Sequence, residues 1–168
     1  KVVKNSVSQP NNYIVVHRGR KEGVSPDLGV LGPNGAVVGT VIDVSDNFSI
    51  VMSLLHSQSN TSARLKKGGE TGNLVWDGID RHILILKDIS KSAKINQGDT
   101  VITSGFSDKF PEGIILGYVK DIINDPGSST YTIRVNSAAN FETLQFAYII
   151  ENLQKGEIDQ LFKKVKSK

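Results

Sequence analysis

Short runs of apolar and β-branched residues alternate along the chain with turn-forming residues. The turns are rich in Gly, Pro, Asn and Asp, as in Gly-Pro-Asn-Gly at 32–35, which supply fixed or positive φ angles. Such runs, recurring about every 8 to 12 residues, predict an all-β sandwich or barrel. The polar segment 57–65 is predicted as a loop or a single helical turn. The predicted strands cover residues 13–16, 28–31, 36–44, 49–55, 71–76, 82–86, 100–104, 114–123, 130–135 and 144–150.

The end of the chain follows a different period. Between residues 157 and 168, Ile158, Leu161, Phe162 and Val165 are spaced at i, i+3, i+4 and i+7, and the other positions are largely basic. This spacing places the four apolar side chains on one face of a helix. The sequence therefore predicts a short amphipathic helical tail after the β-rich region.

A ten-residue pattern occurs twice. Residues 35–44 and 113–122 both read Gly-x-x-x-Gly-x-Val-x-Asp-[Val/Ile], at an offset of 78, and residues 27–30 align with 99–102 at an offset of 72. A strand with Gly at two fixed places indicates a tight bend or bulge, as small barrels need at their corners. The repeat therefore predicts one β unit used twice.

Two tandem small β-barrels follow from this repeat. The polar stretch 87–94 lacks Gly and Pro, so we expect a short joint there instead of a flexible linker. The predicted domains are a first barrel over residues 1–90, a second barrel over residues 91–151 and a basic amphipathic tail over residues 152–168.

Composition narrows the possible classes of protein. Val, Ile and Thr make up 42 of the 168 residues, which disfavours a helical bundle. No apolar run is longer than five residues, and there is no Cys, so neither a membrane-spanning helix nor cysteine chemistry is expected within this sequence. The net charge of +3 and the sparse aromatics (7%) do not indicate a nucleic-acid partner.

Tandem barrels raise the possibility of a chymotrypsin-like serine protease. Ser104 is a candidate nucleophile, and His17, His56 and His82 are candidate bases. Ser104, however, follows a predicted strand and lacks the Gly-Asp-Ser-Gly context that forms the oxyanion turn. The histidines also lack metal-ligand spacing. We expect no catalytic, cofactor or metal site.

Two aromatic residues lie in an otherwise polar turn. Phe106 and Phe110 flank Ser-Asp-Lys, and Pro111 follows. They could cap the end of a barrel, or they could contact a protein partner, as exposed clustered aromatics often do. We take Phe106, Phe110 and Pro111 as the candidate partner interface.

The second half of the chain resembles a known family. The run Gly98-Asp99-Thr100-Val101-Ile102-Thr103-Ser104-Gly105, then Phe110-Pro111-Glu112-Gly113-Ile114 and Gly117-Tyr118-Val119, is similar to the GD-x-V-x-TSG…FP-x-G-[IV]-x-x-G-x-V signature of the MreC family of rod shape-determining proteins. The resemblance covers roughly residues 1–151. The residues taken as its structural signature are Gly35, Gly39, Gly98, Asp99, Thr103, Ser104, Gly105, Gly113 and Gly117.

The resemblance implies a membrane-anchored scaffold and no enzyme. In that family a transmembrane helix and a coiled coil precede a β-rich, chymotrypsin-like but non-proteolytic region outside the inner membrane, in the periplasm where an outer membrane exists. It implies binding to a penicillin-binding transpeptidase, proximity to MreD and RodA, an indirect link to MreB, and self-association. A generic β-barrel adaptor and a serine hydrolase remain the alternatives.

Overall fold

The computed structural model describes residues 1–167 and is almost entirely β-structure. Every paired strand runs antiparallel to its neighbours. The elements are β1 (Val2–Asn5), β2 (Asn11–Val16), a 3-10 turn (Arg20–Glu22), β3 (Gly29–Leu31), β4 (Val37–Val44), β5 (Ser49–His56), β6 (Asn60–Leu65), β7 (Thr71–Val75), β8 (Ile83–Ser90), β9 (Thr100–Thr103), β10 (Ile115–Ile123), β11 (Thr130–Ser137), β12 (Tyr148–Ile150) and the helix α1 (Gln154–Lys166).

The strands form one open sheet and one closed barrel. The open sheet has the order β1-β2-β5-β4-β3-β12, so β1 and β12 are its edges, and the barrel closes in the order β10-β11-β8-β7-β6-β9. The buried apolar side chains of both sheets join in one continuous core. The all-β class, the barrel architecture and the helical tail are confirmed. One barrel is closed, and the other is a six-stranded sheet curled into a half-barrel.

The two sheets do not divide the chain at the predicted boundary between residues 90 and 91. β8 runs through the expected joint as far as Ser90, and the closed barrel takes three strands from each side of that boundary. β12 then returns to the open sheet and pairs with β3. The barrel is therefore an insertion between β5 and β12.

The polar segment 57–65 contains a strand, so the prediction of a loop or helical turn was wrong. Thr61, Ala63 and Leu65 alternate with more exposed residues in β6 and point into the barrel. A half-buried strand has this period of two residues. The pattern is hard to recognise in the sequence, because the buried Thr61 and Ala63 are only weakly hydrophobic.

The repeated unit is visible in the strand pairing. Each copy contains a bulge at the equivalent position, after Val41 in β4 and after Val119 in β10. Two residues before it, a Cβ on Gly39 or Gly117 would overlap a main-chain carbonyl of the neighbouring strand. Only glycine permits this close approach, which explains the glycine shared by the two copies.

Hydrogen bonds correct the upstream alignment by one residue. The Asp27 N–H donates to Val41 O, and the Gly98 N–H donates to Val119 O, both at 2.8 Å. Asp27 and Gly98 also both have positive φ angles, 72° and 90°. The structural offset between the two copies is therefore 71 residues here. An alignment by residue identity, which places Asp27 against Asp99, gives 72.

The helix lies at the end of the described chain. It begins three residues before the predicted tail helix, and Lys168 lies outside the described residues. Within residues 1–167, no helix has both the length and the apolar character needed to cross a bilayer.

Candidate functional site

The two copies of the repeated unit differ chiefly in one loop. The offset between them increases from 71 residues before the loop to 78 after it, so the second copy carries seven additional residues. They lie in the segment 104–112, here called the Phe loop, which joins β9 to β10 where the first copy has only Pro33 and Asn34. The candidate interface residues therefore belong to an insertion specific to the second copy.

Signature residues hold the base of the Phe loop. The buried hydroxyl of Thr103 donates to Pro111 O at 2.7 Å and accepts from the Ile114 N–H at 2.9 Å. Gly105 and Gly113 have φ angles of 83° and 96°, which favour glycine. Loop geometry thus explains these signature residues: the Thr103 hydroxyl and the two glycines bring the ends of the nine-residue loop together.

The three predicted interface residues occupy different environments. Phe110 is only 2% exposed, and it lies against Gly29 of the open sheet, where a Cβ would be 2.7 Å from its Cδ1. Phe106 is 79% exposed. Pro111 is also exposed, with its carbonyl bound by Thr103. Phe110 therefore fastens the barrel to the open sheet, and Phe106 is the aromatic side chain available to a partner.

Ser104 is placed as a structural residue. Its hydroxyl lies 2.7 Å from the Ser62 hydroxyl and accepts the Phe106 N–H at 3.1 Å. The Ser62 contact joins the Phe loop to β6 of the barrel, and the Phe106 contact lies within the loop. No histidine among residues 1–167 makes a hydrogen bond to Ser104, so the geometry expected of an activated serine is not formed.

Each histidine has another partner. His56 accepts the Gln58 N–H at Nδ1 (3.0 Å), and its Nε2 lies 3.0 Å from the Tyr13 hydroxyl. Burial lowers the pKa of His56 below its usual value. His17 stacks on Phe48, and His82 contacts a surface glutamate. No cluster of three or more metal-ligating side chains occurs within the described part of the chain.

The open sheet presents an apolar surface that the sequence patterns did not predict. Neighbouring strands align Tyr13 with Met52 and Val15 with Ile50, and Ile42 lies at the adjacent bulge. These five uncharged side chains, here called the apolar sheet face, are partly or fully solvent-exposed. A strand with one solvent-exposed face usually alternates apolar with polar residues. Strands β2 and β5 have apolar residues on both faces, and this pattern was a signal of the apolar surface.

The Phe loop borders the apolar sheet face. Thr40, Ile42 and Met52 of the sheet line a cavity of about 180 Å³ together with Phe110 and Lys109 of the loop. One end of the sheet face is thus covered by the barrel, and the other end is open. Exposed apolar surface of this kind commonly marks a site of protein association.

Comparison with known proteins identifies the family. The family model described as "Rod shape-determining protein MreC, barrel core" matches residues 2–151. The chain belongs to the MreC family. The matched range agrees with the extent of the resemblance, roughly residues 1–151, found in the sequence.

Curated MreC proteins match over much of the chain. The cell shape-determining protein MreC of Listeria monocytogenes is 26% identical over 154 residues, covering 89% of this chain and 52% of the relative. The Bacillus subtilis MreC is 27% identical over 154 residues, covering 84% and 53%. The chain spans about half the length of these curated relatives.

Solved MreC structures have the same fold. The Listeria monocytogenes MreC superposes with a TM-score of 0.80 at 24% identity, covering 90% of this chain and 73% of that one. MreC from Pseudomonas aeruginosa gives 0.78 at 22% identity, covering 89% and 99%. A complex between the penicillin-binding protein PBP2 and MreC from Helicobacter pylori gives 0.66 at 17% identity, covering 82% and 85%.

Proposed function

We propose that this chain is the extracytoplasmic part of a cell-shape scaffold that binds a penicillin-binding transpeptidase and holds it in an active position. The observation that carries the proposal is the shared fold with a Helicobacter pylori MreC solved in complex with PBP2, together with membership of the MreC family. The role is positional and requires no chemistry from this chain. The occupied Ser104 hydroxyl agrees with a non-catalytic role.

The apolar sheet face is the proposed docking surface for the transpeptidase. Tyr13, Ile42 and Ile50 are each about two-fifths exposed and lie on neighbouring strands, so one partner surface could cover all three. Aromatic and branched side chains near the centre of an interface usually contribute most of the binding energy. Phe106, the exposed aromatic side chain of the Phe loop, is proposed as a second contact with a partner.

Self-association is proposed to use the edges of the open sheet. β1 and β12 are the two outer strands of the open sheet. The Val2 N–H of β1 already donates to Gln145 O, but edge strands of this kind can still pair across molecules. Val3 is half-exposed on β1, and Tyr148 is exposed on β12. In the complete protein, a helix before this region would anchor the domain to the inner membrane, on its periplasmic side, near MreD and RodA and indirectly linked to MreB.

The binding test uses the extracytoplasmic part of the elongation transpeptidase from the same bacterium. Immobilised transpeptidase is titrated with the wild-type chain and with Ile50→Lys, which places a charge on the apolar sheet face. We expect Ile50→Lys to weaken binding at least about tenfold. Ile123→Lys is the matched control, because Ile123 is similarly exposed but belongs to the barrel, and its affinity should equal the wild type.

Two results would contradict different parts of the proposal. Absence of binding by the folded wild-type chain refutes transpeptidase binding by this region. If Ile50→Lys and Tyr13→Ala both bind the transpeptidase with wild-type affinity, the apolar sheet face is not the docking surface. The scaffold role itself is not affected by this result. Phe106→Asp is measured in the same titration and by sedimentation velocity. If binding and self-association are both unchanged in this variant, Phe106 is not a contact.

A further inference from the structure

The C-terminal helix presents an unpartnered apolar stripe. At about 100° per residue, the positions of Ile158, Leu161, Phe162 and Val165 in α1 fall within an arc of about 100°. All four side chains are between 45% and 70% exposed, and α1 buries no residue. An amphipathic helix whose apolar face stays in water requires a further partner to cover it.

Positive charge is concentrated around this stripe. Residues 154–168 contain five lysines against Glu157 and Asp159, a net charge of +3. The whole chain also carries +3, so residues 1–153 are electrically balanced. Lys163, Lys164 and Lys166 lie in the last turn of α1, on either side of the apolar arc. Lysine stems in this position can lie along an apolar boundary while the ammonium groups reach polar groups above it.

The rest of the domain holds the helix at one end without covering the stripe. Lys155, in the first turn, lies 3.8 Å from Asp108 of the Phe loop. Ile158 and Phe162 line one side of an open groove of about 500 Å³, with Phe106 on the other side. Leu161 and Val165 do not line this groove. The stripe is therefore held beside the Phe loop and remains accessible from outside.

A second copy of the chain fits this face poorly. A 13-residue helix is about 20 Å long, so a stripe one side chain wide offers only a few hundred Å², below the roughly 800 Å² per partner of a standard protein interface. Two such tails would also bring net charges of the same sign together. A surface rich in negative charge with an apolar layer beneath it matches both features of the helix.

We propose that α1 binds the surface of an anionic lipid bilayer. The helix lies parallel to the membrane, with Leu161, Phe162 and Val165 at the boundary between headgroups and acyl chains and with the lysines among the lipid phosphates. Helices with a narrow apolar face and an adjoining lysine-rich face bind membranes in this way. This contact would add a second membrane attachment to the domain, independent of any partner protein.

The test is vesicle co-sedimentation of the full 168-residue chain. Vesicles of phosphatidylcholine with 30% phosphatidylglycerol are compared with pure phosphatidylcholine vesicles. Because each lysine near an anionic surface contributes roughly a fivefold gain in partitioning, we expect binding to the anionic vesicles at least tenfold stronger, decreasing as salt screens the charges. Leu161→Glu with Phe162→Glu should abolish it. Ile79→Glu, at a still more exposed apolar position in the loop between β7 and β8, should leave it unchanged.

A second variant reports insertion directly. Phe162→Trp should show a blue-shifted fluorescence maximum with the anionic vesicles and no shift with phosphatidylcholine vesicles. Trp76 is buried and supplies a constant background. Equal partitioning to the two vesicle types, or unchanged binding in the double variant, overturns the proposal. If vesicles are not bound and the double variant abolishes a concentration-dependent dimer, a second copy covers the stripe and the lipid proposal is wrong.

Discussion

Removal of the Phe110 ring should loosen the attachment between the barrel and the open sheet. Phe110 is buried in the Phe loop, next to Pro111 at the base of the loop, and its ring lies directly on Gly29 of β3. Phe110→Ala would leave a cavity between two elements that are 81 residues apart in sequence.

The expected magnitude follows from the burial. Replacement of a fully buried Phe by Ala costs about 3–5 kcal/mol in free energy of unfolding. With an unfolding entropy of about 2.1 cal/mol/K per residue, a chain of this length should lose roughly 10 °C in Tm. Phe106→Ala is the matched control, since it removes the same side chain from the same loop but at a position that is 79% exposed. It should change stability by less than about 0.5 kcal/mol.

A double-mutant cycle tests the contact itself. Gly29→Ala alone should destabilise the protein, because its Cβ would overlap the Phe110 ring. In the Phe110→Ala background the added methyl group enters the cavity instead. The two changes should therefore cost less together than the sum of their separate costs, by about 1–2 kcal/mol.

Urea unfolding followed by circular dichroism gives the four free energies of the cycle. If Phe110→Ala costs less than about 1 kcal/mol, or no more than Phe106→Ala, the burial argument is wrong. Additive effects in the cycle would show that Gly29 and Phe110 do not contact each other in solution.

Three further predictions concern the repeat, a histidine and the candidate nucleophile. Gly39→Ala and Gly117→Ala should each lower the free energy of unfolding, measured in urea, by about 1–3 kcal/mol. Gly127→Ala should be nearly neutral, because Gly127 is exposed and a Cβ there would meet only the Asp125 carboxylate, at 3.4 Å. A neutral result at either repeat glycine contradicts the structural equivalence. Because burial lowers the pKa of His56 in the folded state, stability should decrease as pH falls from the unfolded pKa of about 6.5 towards the folded pKa, and this decrease should be smaller in His56→Asn. A fluorophosphonate probe should not label Ser104, and labelling there would revive the serine hydrolase alternative.

Much of the fold could be predicted from local patterns. Turn residues separate most strands, and the tail helix has an unambiguous period. The repeat at 35–44 and 113–122 indicated the equivalent bends correctly, because the same glycine is required wherever a neighbouring main chain approaches so closely. The predicted offset between the preceding strands of the two copies was wrong by one residue. Asp27 and Gly98 are equivalent because they share a positive φ angle and the same hydrogen bond, although their side chains differ.

The grouping of strands into sheets could not be predicted in the same way. Segment 87–94 looks like a joint because it is polar, yet β8 continues through half of it, since pairing with β11 satisfies its main chain. The return of β12 to β3 depends on contacts between residues more than 110 positions apart. Local composition contains no information about such long-range pairing.

The candidate site shows the same limit. Phe106 and Phe110 have identical chemistry and lie four residues apart in one loop. Which of them is buried depends on the missing side chain of Gly29, in a different sheet. The apolar sheet face was not predicted either, because Tyr13 and Ile50 lie on one surface only when β2 and β5 pair.

The insertion of the barrel between β5 and β12 has a consequence for biosynthesis. During translation, β1 to β5 leave the ribosome first, and β3 then remains an unpaired edge until β12 follows it out, after all six barrel strands have been synthesised. At about 5–20 residues per second this interval lasts several seconds. A nascent chain stalled before residue 148 would expose the β3 edge to other nascent chains. Completion of the barrel and protection of the β3 edge are thus coupled in time, because β12 covers that edge only after all the barrel strands have been synthesised.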